Sequence, residues 1–433
     1  MRVCVYGLWH LGSVTAACLA AAGHEVRGLD PRAETIAGLR EGRPPILEPG
    51  LQELVSAGLS QRRLEFSDDA REAIKGCKVL WVTFDTPVDD DDRADAQYVI
   101  DRIKDVMPFL EDGAVVLVSS QLPAGSCRAL EEWAANQGVR RISFACSPEN
   151  LRLGKALEVF RDPDRVIVGV RNAADRKVIE ELLAPITDRV EWMSVESAEM
   201  TKHAVNAFLA LSVTFANEIA SICEKAGADA KEVERGLKTE SRIGPGAYLS
   251  PGTAFAGGTL ARDVSFLKHI GDDAGLRSPL LNAVKTSNDN HRQWPRRKIE
   301  EVVGRLAGST VCVWGLTYKP GTDTLRRSSS IELCRWLLDH GAAVRAHDPA
   351  VKQLPEELSA ISLFLTPEEA ASGADALIVM TGWPEYRKVH LEALLPRMNK
   401  PNVIDPARIL TSAVAGLRTV QYFAVGTPGI RSK

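Results

Sequence analysis

The sequence lacks an excess of charge of either sign and lacks any metal-binding pattern. Its 53 Lys and Arg residues are nearly balanced by 57 Asp and Glu residues, for a formal net charge of −4, so we expect no nucleic-acid partner. The eight cysteines form no CxxC pair and no spacing typical of a metal site. Scattered cysteines of this kind are typical of buried thiols in a cytoplasmic protein, and we expect no metal.

Long hydrophobic runs and a signal peptide are also lacking. No apolar stretch approaches the roughly 20 residues that span a bilayer. Residues 1–7 enter a strand pattern at once, without the basic and apolar regions of a secretory signal. We therefore expect no membrane association. The 433 residues, 45% of them hydrophobic and 25% charged, are typical of a globular protein with two or three domains.

The first 30 residues contain a pattern typical of dinucleotide binding. Its elements are a strand at residues 2–6, the turn Gly7-Leu-Trp9-His-Leu-Gly12, a helix at residues 13–22, a strand at residues 25–29, and Asp30. Gly7 permits the tight turn, the helix N-terminus offers amides to a pyrophosphate, and Asp30 can accept from ribose hydroxyls, which favours NAD over NADP. Trp9 replaces the usual middle glycine, so a Rossmann-like unit that binds no dinucleotide remains an alternative.

Further strands follow at regular intervals, each after a helical stretch, at residues 79–84, 115–119 and 142–146. This alternation predicts a doubly wound parallel sheet, with ligands beyond the carboxyl ends of its strands. Glu149 follows one such end and is therefore a carboxylate expected in the crevice, although a surface role is an equally good interpretation.

A long helix is predicted from Glu196 to Gly227. No proline or glycine interrupts this stretch before Gly227, and its apolar residues recur about every 3.6 positions. Lys202 and Asn206 lie four residues apart and therefore share one face. Taken alone, such a pair is most simply a solvated lysine and a locally bonded asparagine. Its place between two nucleotide-binding patterns favours a functional role.

Glycine-rich segments follow the long helix, at residues 241–246 and 251–263. Dense glycine beside Arg242, Arg262 and Asp263 predicts a backbone shaped around a phosphate or a sugar. A flexible linker is the alternative, but Phe255 and the apolar residues after Asp263 favour an ordered loop that enters a helix.

A second α/β pattern starts at residue 310. It consists of strands at residues 311–314, 343–347, 376–380 and 402–405, with a helix at residues 328–340. The turn at Gly315 lacks the GxGxxG spacing. Lys319 and Arg326 suit a nucleoside diphosphate better than a dinucleotide.

Seven motifs, in this order, give the chain a resemblance to the UDP-glucose/GDP-mannose dehydrogenase family over nearly its whole length. They are Gly7-x-Trp9-x-x-Gly12 with Asp30, Gln121-Leu-Pro123, Ser147-Pro148-Glu149, Lys202-His-Ala-Val-Asn206, Arg242-Ile-Gly244, Phe255-Ala-Gly-Gly-Thr-Leu-Ala-Arg-Asp263, and Gly315-Leu-Thr-Tyr-Lys319-Pro-Gly-Thr-Asp323-x-x-Arg326. The resemblance implies an α/β fold with two Rossmann-like, doubly wound parallel-sheet domains joined by a long central helix. The implied domains are an NAD-binding domain at residues 1–195, a central helical dimerisation domain at residues 196–300, and a nucleotide-sugar domain at residues 301–433.

The resemblance further implies that NAD is the cofactor, that the chain forms a homodimer or higher homo-oligomer, and that the C6 alcohol of a nucleoside-diphosphate hexose is oxidised to a carboxylate with two NAD⁺. Lys202 and Asn206 would hold the oxygen at C6, Glu149 would act as general base, and Asp263 would support a water. The implied cofactor-binding residues are Gly7, Trp9, His10, Leu11, Gly12, Asp30, Thr86, Ser120, Gln121 and Arg326. The implied substrate-binding residues are Glu149, Leu151, Arg152, Lys202, Asn206, Arg242, Tyr248, Leu249, Gly252, Phe255, Gly257, Tyr318 and Lys319.

The chain departs from the family pattern where the nucleophilic cysteine of Gly-Gly-Ser-Cys is expected, because it has Gly257-Gly258-Thr259 there. A threonine hydroxyl is a poor nucleophile without a dedicated base. Gln121, Leu153 and Arg262 also replace the usual threonine, glutamate and lysine. We therefore predict a dehydrogenase acting on UDP- or dTDP-glucose, with Thr259 in the catalytic set and an aldehyde hydrate in place of a thiohemiacetal. The alternatives are an epimerase or isomerase that retains NAD, and a non-catalytic sugar-nucleotide-binding protein.

Overall fold

The structure, a computed structural model, describes residues 1–89, 94–139, 141–148, 151–256 and 258–428. The chain divides into two compact units, Met1–Val205 and Asn206–Lys433. Among the described strands, the sheet of the first unit is parallel except for one strand pair, and the sheet of the second unit is wholly parallel. Each unit also contains helices, and the boundary between the units falls inside one long helix. The predicted α/β fold class is confirmed.

The sheet of the first unit has the strand order β3-β2-β1-β4-β5-β6-β7-β8 among the described residues. The strands are β1 (Arg2–Tyr6), β2 (Glu25–Leu29), β3 (Leu64–Ser67), β4 (Val79–Val82), β5 (Val115–Val118), β6 (Ser143–Cys146), β7 (Val166–Gly169) and β8 (Val190–Met193). All neighbours pair in parallel except β6 and β7, which meet in antiparallel fashion at Cys146 and Gly169. The central strands are apolar and buried because helices cover both faces of the sheet.

The helices of the first unit alternate with these strands. They are α1 (His10–Ala21), α2 (Ala33–Arg40), α3 (Leu51–Ser60), α4 (Ala70–Ile74), α5 (Ala96–Val106), α6 (Ser126–Asn136), α7 (Ala156–Arg161) and α8 (Ala173–Leu183), with a 3-10 helix at Met107–Phe109. The α1 helix is apolar around nearly its whole circumference, and residues 11–20 are all buried. Such a helix is expected in a protein interior rather than at its surface.

The long predicted helix is α9 (Val195–Ala226), which is 32 residues long and is followed by Gly227 at a φ of +80°. In the described part of the chain it is the one helix long and apolar enough to cross a membrane, with a mean hydropathy of 1.4 over an 18-residue window. The expectation that no apolar stretch approaches the length needed to span a bilayer was therefore too strict. A single such helix is weak evidence for a span, because a buried core helix gives the same signal, and 44% of this window is buried.

The second unit continues from α9 with helices and then a second sheet. The helices before the sheet are α10 (Ala230–Thr239), α11 (Thr259–Asp273), α12 (Pro279–Arg292) and α13 (Trp294–Val303). The strands are β9 (Thr310–Trp314), β10 (Ala343–His347), β11 (Ser362–Leu363), β12 (Ala376–Val379), β13 (Asn402–Ile404) and β14 (Gln421–Phe423). They follow the order β11-β10-β9-β12-β13-β14, and every pair between described strands is parallel.

Short helices connect the strands of the second sheet. They are α14 (Ser329–Asp339), α15 (Pro367–Ala371), α16 (Leu391–Leu394) and α17 (Thr411–Val414), with 3-10 helices at Glu356–Leu358, Pro384–Lys388 and Leu395–Arg397. Two buried clusters of apolar side chains cover the two faces of this sheet. The second sheet is therefore doubly wound like the first.

Candidate active site

The turn between β1 and α1, together with the first turn of α1, has no room for a side chain at two glycines, Gly7 and Gly12. Gly7 has a φ of +100°, and a Cβ there would lie 2.7 Å from the Phe84 ring. A Cβ on Gly12 would lie 1.9 Å from the carbonyl oxygen of Gly7. Glycine at these positions lets α1 begin close against the strand ends, where its first amides can face an anion. The geometry fits the pyrophosphate of a dinucleotide.

Trp9 lies just before α1, at the position where the usual fingerprint has its second glycine. Its φ and ψ are −86° and −143°, and this φ lies outside the left-handed region that favours glycine. The side chain is 39% exposed, so the tryptophan is accommodated at the surface. His10 and Leu11 follow as the first two residues of α1. Trp9 is therefore compatible with the turn.

Asp30 directly follows β2 and has a fully buried side chain. Its Oδ2 accepts the backbone N–H of Leu8 at 2.7 Å. Its Oδ1 accepts the backbone N–H of Arg32 at 2.9 Å, and the Arg32 guanidinium donates to both carboxylate oxygens. The acid is thus held beside the glycine turn, where the sequence pattern predicts the ribose of the cofactor.

A small pocket opens at the carboxyl ends of β5 and β6. It is lined by Val118, Ser119, Ser120, Gln121, Leu122, Cys146, Pro148, Glu199, Lys202 and His203. Ser120 Oγ is buried and has no hydrogen-bond partner among the described residues, as expected of a group that bonds to a ligand. Thr86 Oγ1 donates to the backbone oxygen of Gln121 at 2.5 Å, which ties the ends of two neighbouring strands together.

Two buried side chains of α9, which sequence reasoning missed, hold the segment that follows β5. Glu199 accepts the backbone N–H groups of Gly125 at 2.6 Å and Cys127 at 3.0 Å. His203 Nε2 lies 3.0 Å from the backbone oxygen of Leu122. Their spacing of four residues on one helix face is the only local signal that could have found them. Lys202 lies between these two anchors.

In the second unit, Asn206 and Asp263 form a buried pair. Asn206 Nδ2 donates to Asp263 Oδ2 at 2.5 Å, and Asp263 is fully buried. Asp263 lies one turn after Thr259, the exposed first residue of α11. Gly258 precedes that helix with a φ of +104°. Three predicted catalytic residues, Asn206, Thr259 and Asp263, are thus carried by α9 and the start of α11.

The glycine-rich loop before α11 is held by side chains of α9 and α12. Asn217 Oδ1 accepts the backbone N–H of Gly252 at 2.9 Å. Asn288 binds Phe255 twice, accepting its N–H at 3.0 Å and donating to its carbonyl at 2.9 Å. His291 Nε2 lies 2.8 Å from the Gly252 oxygen. The expectation of an ordered loop is confirmed for residues 252–256.

This loop borders an open cavity of about 660 Å³ in the second unit. The predicted substrate residues Gly252, Phe255, Tyr318 and Lys319 are among its lining residues, together with His291, Arg292, Arg296 and Ser328–Ser330. The cationic side chains and hydroxyls in this set can bind phosphate oxygens. Arg326 is exposed and is not among the described residues that line this cavity.

The turn after β9 repeats the construction of the turn after β1. Gly315 has a φ of +86°, and a Cβ there would lie 2.5 Å from Thr381 Cβ. Asp348 follows β10 and accepts from Leu316 N, Thr317 N, Thr317 Oγ1 and Trp383 Nε1 at 2.7–3.1 Å. Because three residues donate to Oδ2 of this acid, two of them in the turn itself, Asp348 holds the turn in place.

The remaining predicted residues are more scattered. Arg242 is exposed, with 86% of its side chain accessible, and pairs with Glu240. Tyr248 is exposed and Leu249 half-buried, and neither is among the described residues that line the cavity. Leu151 packs against the core of the first unit, and Arg152 accepts the N–H of Lys155 through its backbone oxygen. Glu149 and Gly257 lie outside the described residues.

Comparison with family models matches three parts of the chain. Residues 1–187 match the NAD binding domain of the UDP-glucose/GDP-mannose dehydrogenase family, residues 196–290 its central domain, and residues 312–412 its UDP binding domain. Together these ranges take in most of the chain and include the glycine turns of both sheets.

Similar proteins include a UDP-glucose 6-dehydrogenase of Pseudomonas aeruginosa, 34% identical over 99% of this chain and 98% of that protein. One of Rhizobium meliloti is 31% identical over 99% of this chain and 100% of that protein. Among solved structures, a UDP-glucose dehydrogenase from Pyrobaculum islandicum has a TM-score of 0.87 and 30% identity over 98% of both chains. A UDP-D-ManNAc dehydrogenase from Pyrococcus horikoshii has a TM-score of 0.87 and 25% identity, covering 99% of this chain and 100% of that chain.

Proposed function

The chain belongs to the UDP-glucose/GDP-mannose dehydrogenase family and is an NAD-dependent nucleotide-sugar dehydrogenase, and we propose that it oxidises the C6 alcohol of UDP- or dTDP-glucose to the uronic acid with two NADH. The observation that carries this proposal is Lys202, a cationic donor in the pocket at the carboxyl ends of β5 and β6. A substrate oxygen placed there would lie where open α/β sheets bind their ligands.

Bound NAD⁺ supplies the hydride acceptor for both oxidations. In this proposal the amides at the start of α1 bind the pyrophosphate, and Asp30 accepts from a ribose hydroxyl. Ser120 supports the assignment, because its buried hydroxyl has no hydrogen-bond partner in the described part of the chain. Thr86 and Gln121 shape the same strand ends.

The first oxidation needs a base for the C6 hydroxyl proton and donors for the oxygen on which negative charge builds. Lys202 and Asn206 would be those donors, projecting from one face of α9 four residues apart. The bond from Asn206 to Asp263 fixes which way its amide points. Glu149 would remove the proton, directly or through a water held by Asp263.

The second oxidation needs a tetrahedral carbon that bears hydrogen. Where the family pattern has a cysteine, this chain has Thr259, whose hydroxyl is a poor nucleophile without a dedicated base. An aldehyde hydrate is tetrahedral, retains the C–H bond and has an ionisable hydroxyl. We therefore assign to Glu149 and Asp263, with Thr259 one turn before Asp263 on α11, the task of holding the water that adds to the aldehyde.

The nucleotide of the substrate would bind in the cavity of the second unit. Lys319 and Arg296 would supply positive charge for the diphosphate, since Arg292 is paired with Glu332, and Phe255 would supply an apolar face. The names of the similar proteins favour uridine. Thymine differs from uracil by one methyl group, so we retain dTDP-glucose as the second candidate.

A homodimer is part of the proposal because of an apolar stripe on α9. Phe208, Phe215 and Ile222 recur every seven residues and are 65%, 46% and 62% exposed. Large apolar side chains in a row on a helix face favour burial against a partner helix. Arg242, which is exposed, would reach the sugar nucleotide of the neighbouring subunit. We place the protein in the cytoplasm.

The test is a count of NADH against a panel of sugar nucleotides. Purified protein is incubated with NAD⁺ and UDP-glucose, dTDP-glucose, GDP-mannose or UDP-N-acetylmannosamine, and products are separated by charge. The proposal expects two NADH for each UDP- or dTDP-glucose consumed and one uronic acid formed. Turnover of GDP-mannose or UDP-N-acetylmannosamine alone would overturn the substrate assignment. Conversion to an isomeric sugar nucleotide without net NADH would favour the epimerase alternative.

A further inference from the structure

Glu48 is a buried carboxylate for which the proposed chemistry has no use. It lies between α2 and α3, and its side chain is 1% exposed. Its Oε1 accepts the backbone N–H of Ala156 at 2.8 Å, and its Oε2 accepts that of Gly154 at 2.8 Å. Oε2 also lies 3.0 Å from His10 Nε2. A carboxylate is costly to bury unless donors satisfy it, and here three donors converge on one group.

The donors belong to the two parts of the first unit that bear proposed ligand-binding residues. His10 is the first residue of α1, directly after Trp9 in the turn assigned to the pyrophosphate. Gly154 and Ala156 end the loop that carries Leu151 and Arg152, proposed to contact the sugar nucleotide. Lys155 gives α7 no side-chain cap, so Glu48 satisfies the first amide of that helix from 108 positions away in sequence.

We propose that Glu48 is a positioning residue that holds the start of α1 and the loop at residues 151–156 in a fixed relation, through His10 on one side and Gly154 and Ala156 on the other. NAD⁺ and the sugar nucleotide then meet surfaces that are already arranged. The identity of these two ligands rests on the proposed function, whereas the link between helix and loop does not. Glu48 touches neither ligand in this account and acts through the groups that it holds.

Substitution of Glu48 is expected to weaken ligand binding and to leave the rate of the chemical step nearly unchanged. The Glu48 side chain is bonded to His10, Gly154 and Ala156, and none of these three is assigned to proton removal or to binding of the C6 oxygen, so kcat should change little. The loop would have to be ordered by each substrate molecule that binds, which raises KM. A residue that only stabilises the fold would lower the melting temperature and leave both KM and cofactor affinity unchanged.

The test compares Glu48→Gln with Glu53→Gln, a matched control on the exposed side of α3. Glutamine keeps the shape of the side chain but removes the charge that the two amides and His10 share. The proposal expects the KM for the sugar nucleotide and the Kd for NAD⁺ each to rise at least about fivefold, with kcat within about threefold of wild type. Hydrogen exchange at residues 151–156 should accelerate at least about tenfold, and Glu53→Gln should match wild type throughout.

His10→Ala is the second variant, because it leaves the amides of Gly154 and Ala156 bonded to Glu48. If the link operates, this variant weakens NAD⁺ binding and also speeds exchange at residues 151–156. Unchanged exchange in the loop of His10→Ala would overturn the link. A lower melting temperature in Glu48→Gln with unchanged KM and Kd would overturn the positioning role. Exchange and NAD⁺ binding are measured without turnover, so failure to oxidise glucose nucleotides would not be confused with either result.

Discussion

The guanidinium of Arg32 donates to both carboxylate oxygens of Asp30, from Nε at 2.9 Å and from Nη2 at 3.1 Å. Its central carbon lies 5.6 Å from the centre of the Trp9 ring, and the hydrogen bond to Asp30 raises the pKa of Arg32. The arginine charge is therefore paired with the buried acid, although a basic residue at this point of a Rossmann unit could otherwise attract a 2′-phosphate.

Cofactor choice follows from this pair. We expect NAD⁺ to be preferred over NADP⁺ by at least about tenfold in kcat/KM, the scale of one charged contact. Asp30→Asn removes the repelling charge and releases Arg32, so the preference should shrink to about threefold or less. Kinetics with both cofactors measures this, with Asp68→Asn, an exposed acid of a nearby loop, as control. Equal kcat/KM for the two cofactors in wild type would contradict the account.

Lys202→Ala should lower kcat by about 10²-fold or more, because losing a prearranged donor to a developing oxyanion costs on that scale. The KM for the sugar nucleotide should change less. Steady-state kinetics checks this against Lys225→Ala, which removes an exposed lysine from the last turn of the same helix. A kcat within about threefold of wild type would show that Lys202 lies outside the chemistry.

Strand prediction succeeded for the interior strands of both sheets apart from β7, and it missed the edge strands. The bounds of β1, β2 and β10 are those expected from sequence, because each is a short run bounded by turn residues or an acid. The missed strands include β3, β8, β11 and β14, which are the four edge strands. The edges of the first sheet carry half-exposed or charged positions such as Glu65 and Glu191, so the continuous apolar signal of a buried parallel strand is absent there.

The candidate site was predictable where its residues are close in sequence. Lys202 and Asn206 were paired by their helical spacing, and Thr259 and Asp263 lie one turn apart on α11. The bond between Asn206 and Asp263 joins residues 57 positions apart, and Glu48 reaches Ala156 across 108 positions. Contacts of that separation are set by tertiary packing and leave no local pattern. The division of the chain into three domains, with boundaries at residues 195/196 and 300/301, stays a prediction.

Charge placed in the apolar stripe of α9 should disrupt self-association. We expect wild type to sediment as a dimer or larger assembly, and Phe215→Asp or Phe208→Asp to shift it toward monomer at about 10 μM, because burying an unpaired carboxylate in an apolar interface is costly. Leu276→Asp is the control, since Leu276 is equally exposed but lies beyond α11. A monomeric wild type would remove the dimer proposal. If the molecular mass of the assembly is unchanged in both Phe variants, the interface lies elsewhere on the protein.

Stability should fall as the pH drops below about 6.5, the unperturbed histidine value. Burial lowers the pKa of His24, His291 and His347, so the unfolded chain binds protons that the folded chain does not. The free energy of unfolding therefore decreases as pH falls from about 6.5 through the lowered folded values, by at most about 1.4 kcal/mol per pH unit for each group.

His291→Gln isolates one contribution to that pH dependence, because glutamine can still donate to the Gly252 oxygen. Denaturant melts at pH 7.5, 6.5 and 5.5 should show a shallower loss of stability for this variant than for wild type. His269→Gln, which alters an exposed histidine on α11, should retain the wild-type slope. Stability that rises on acidification over this range would contradict the prediction.

The last prediction concerns Thr259 and the extent of oxidation. Thr259 is the exposed first residue of α11, one turn before the buried Asp263. If an aldehyde hydrate carries the second step, the hydroxyl only orients water, and Thr259→Ala should keep two NADH per sugar with kcat reduced by about tenfold or less. Mass spectrometry of enzyme quenched during turnover should show no covalent adduct. Thr259→Ser is the matched variant, since it restores the hydroxyl without the methyl.

Two outcomes would decide against this route. Release of free aldehyde with one NADH per sugar in wild type would show that water is not delivered to the aldehyde carbon. Loss of the second oxidation in Thr259→Ala, with the first intact and with recovery in Thr259→Ser, would assign the hydroxyl a covalent role. Thr259→Cys then serves as the reference, because a thiol near its ordinary pKa is intrinsically far more nucleophilic than an alcohol. Under the hydrate route Thr259→Cys gives at most a faster second step and the same uronic acid.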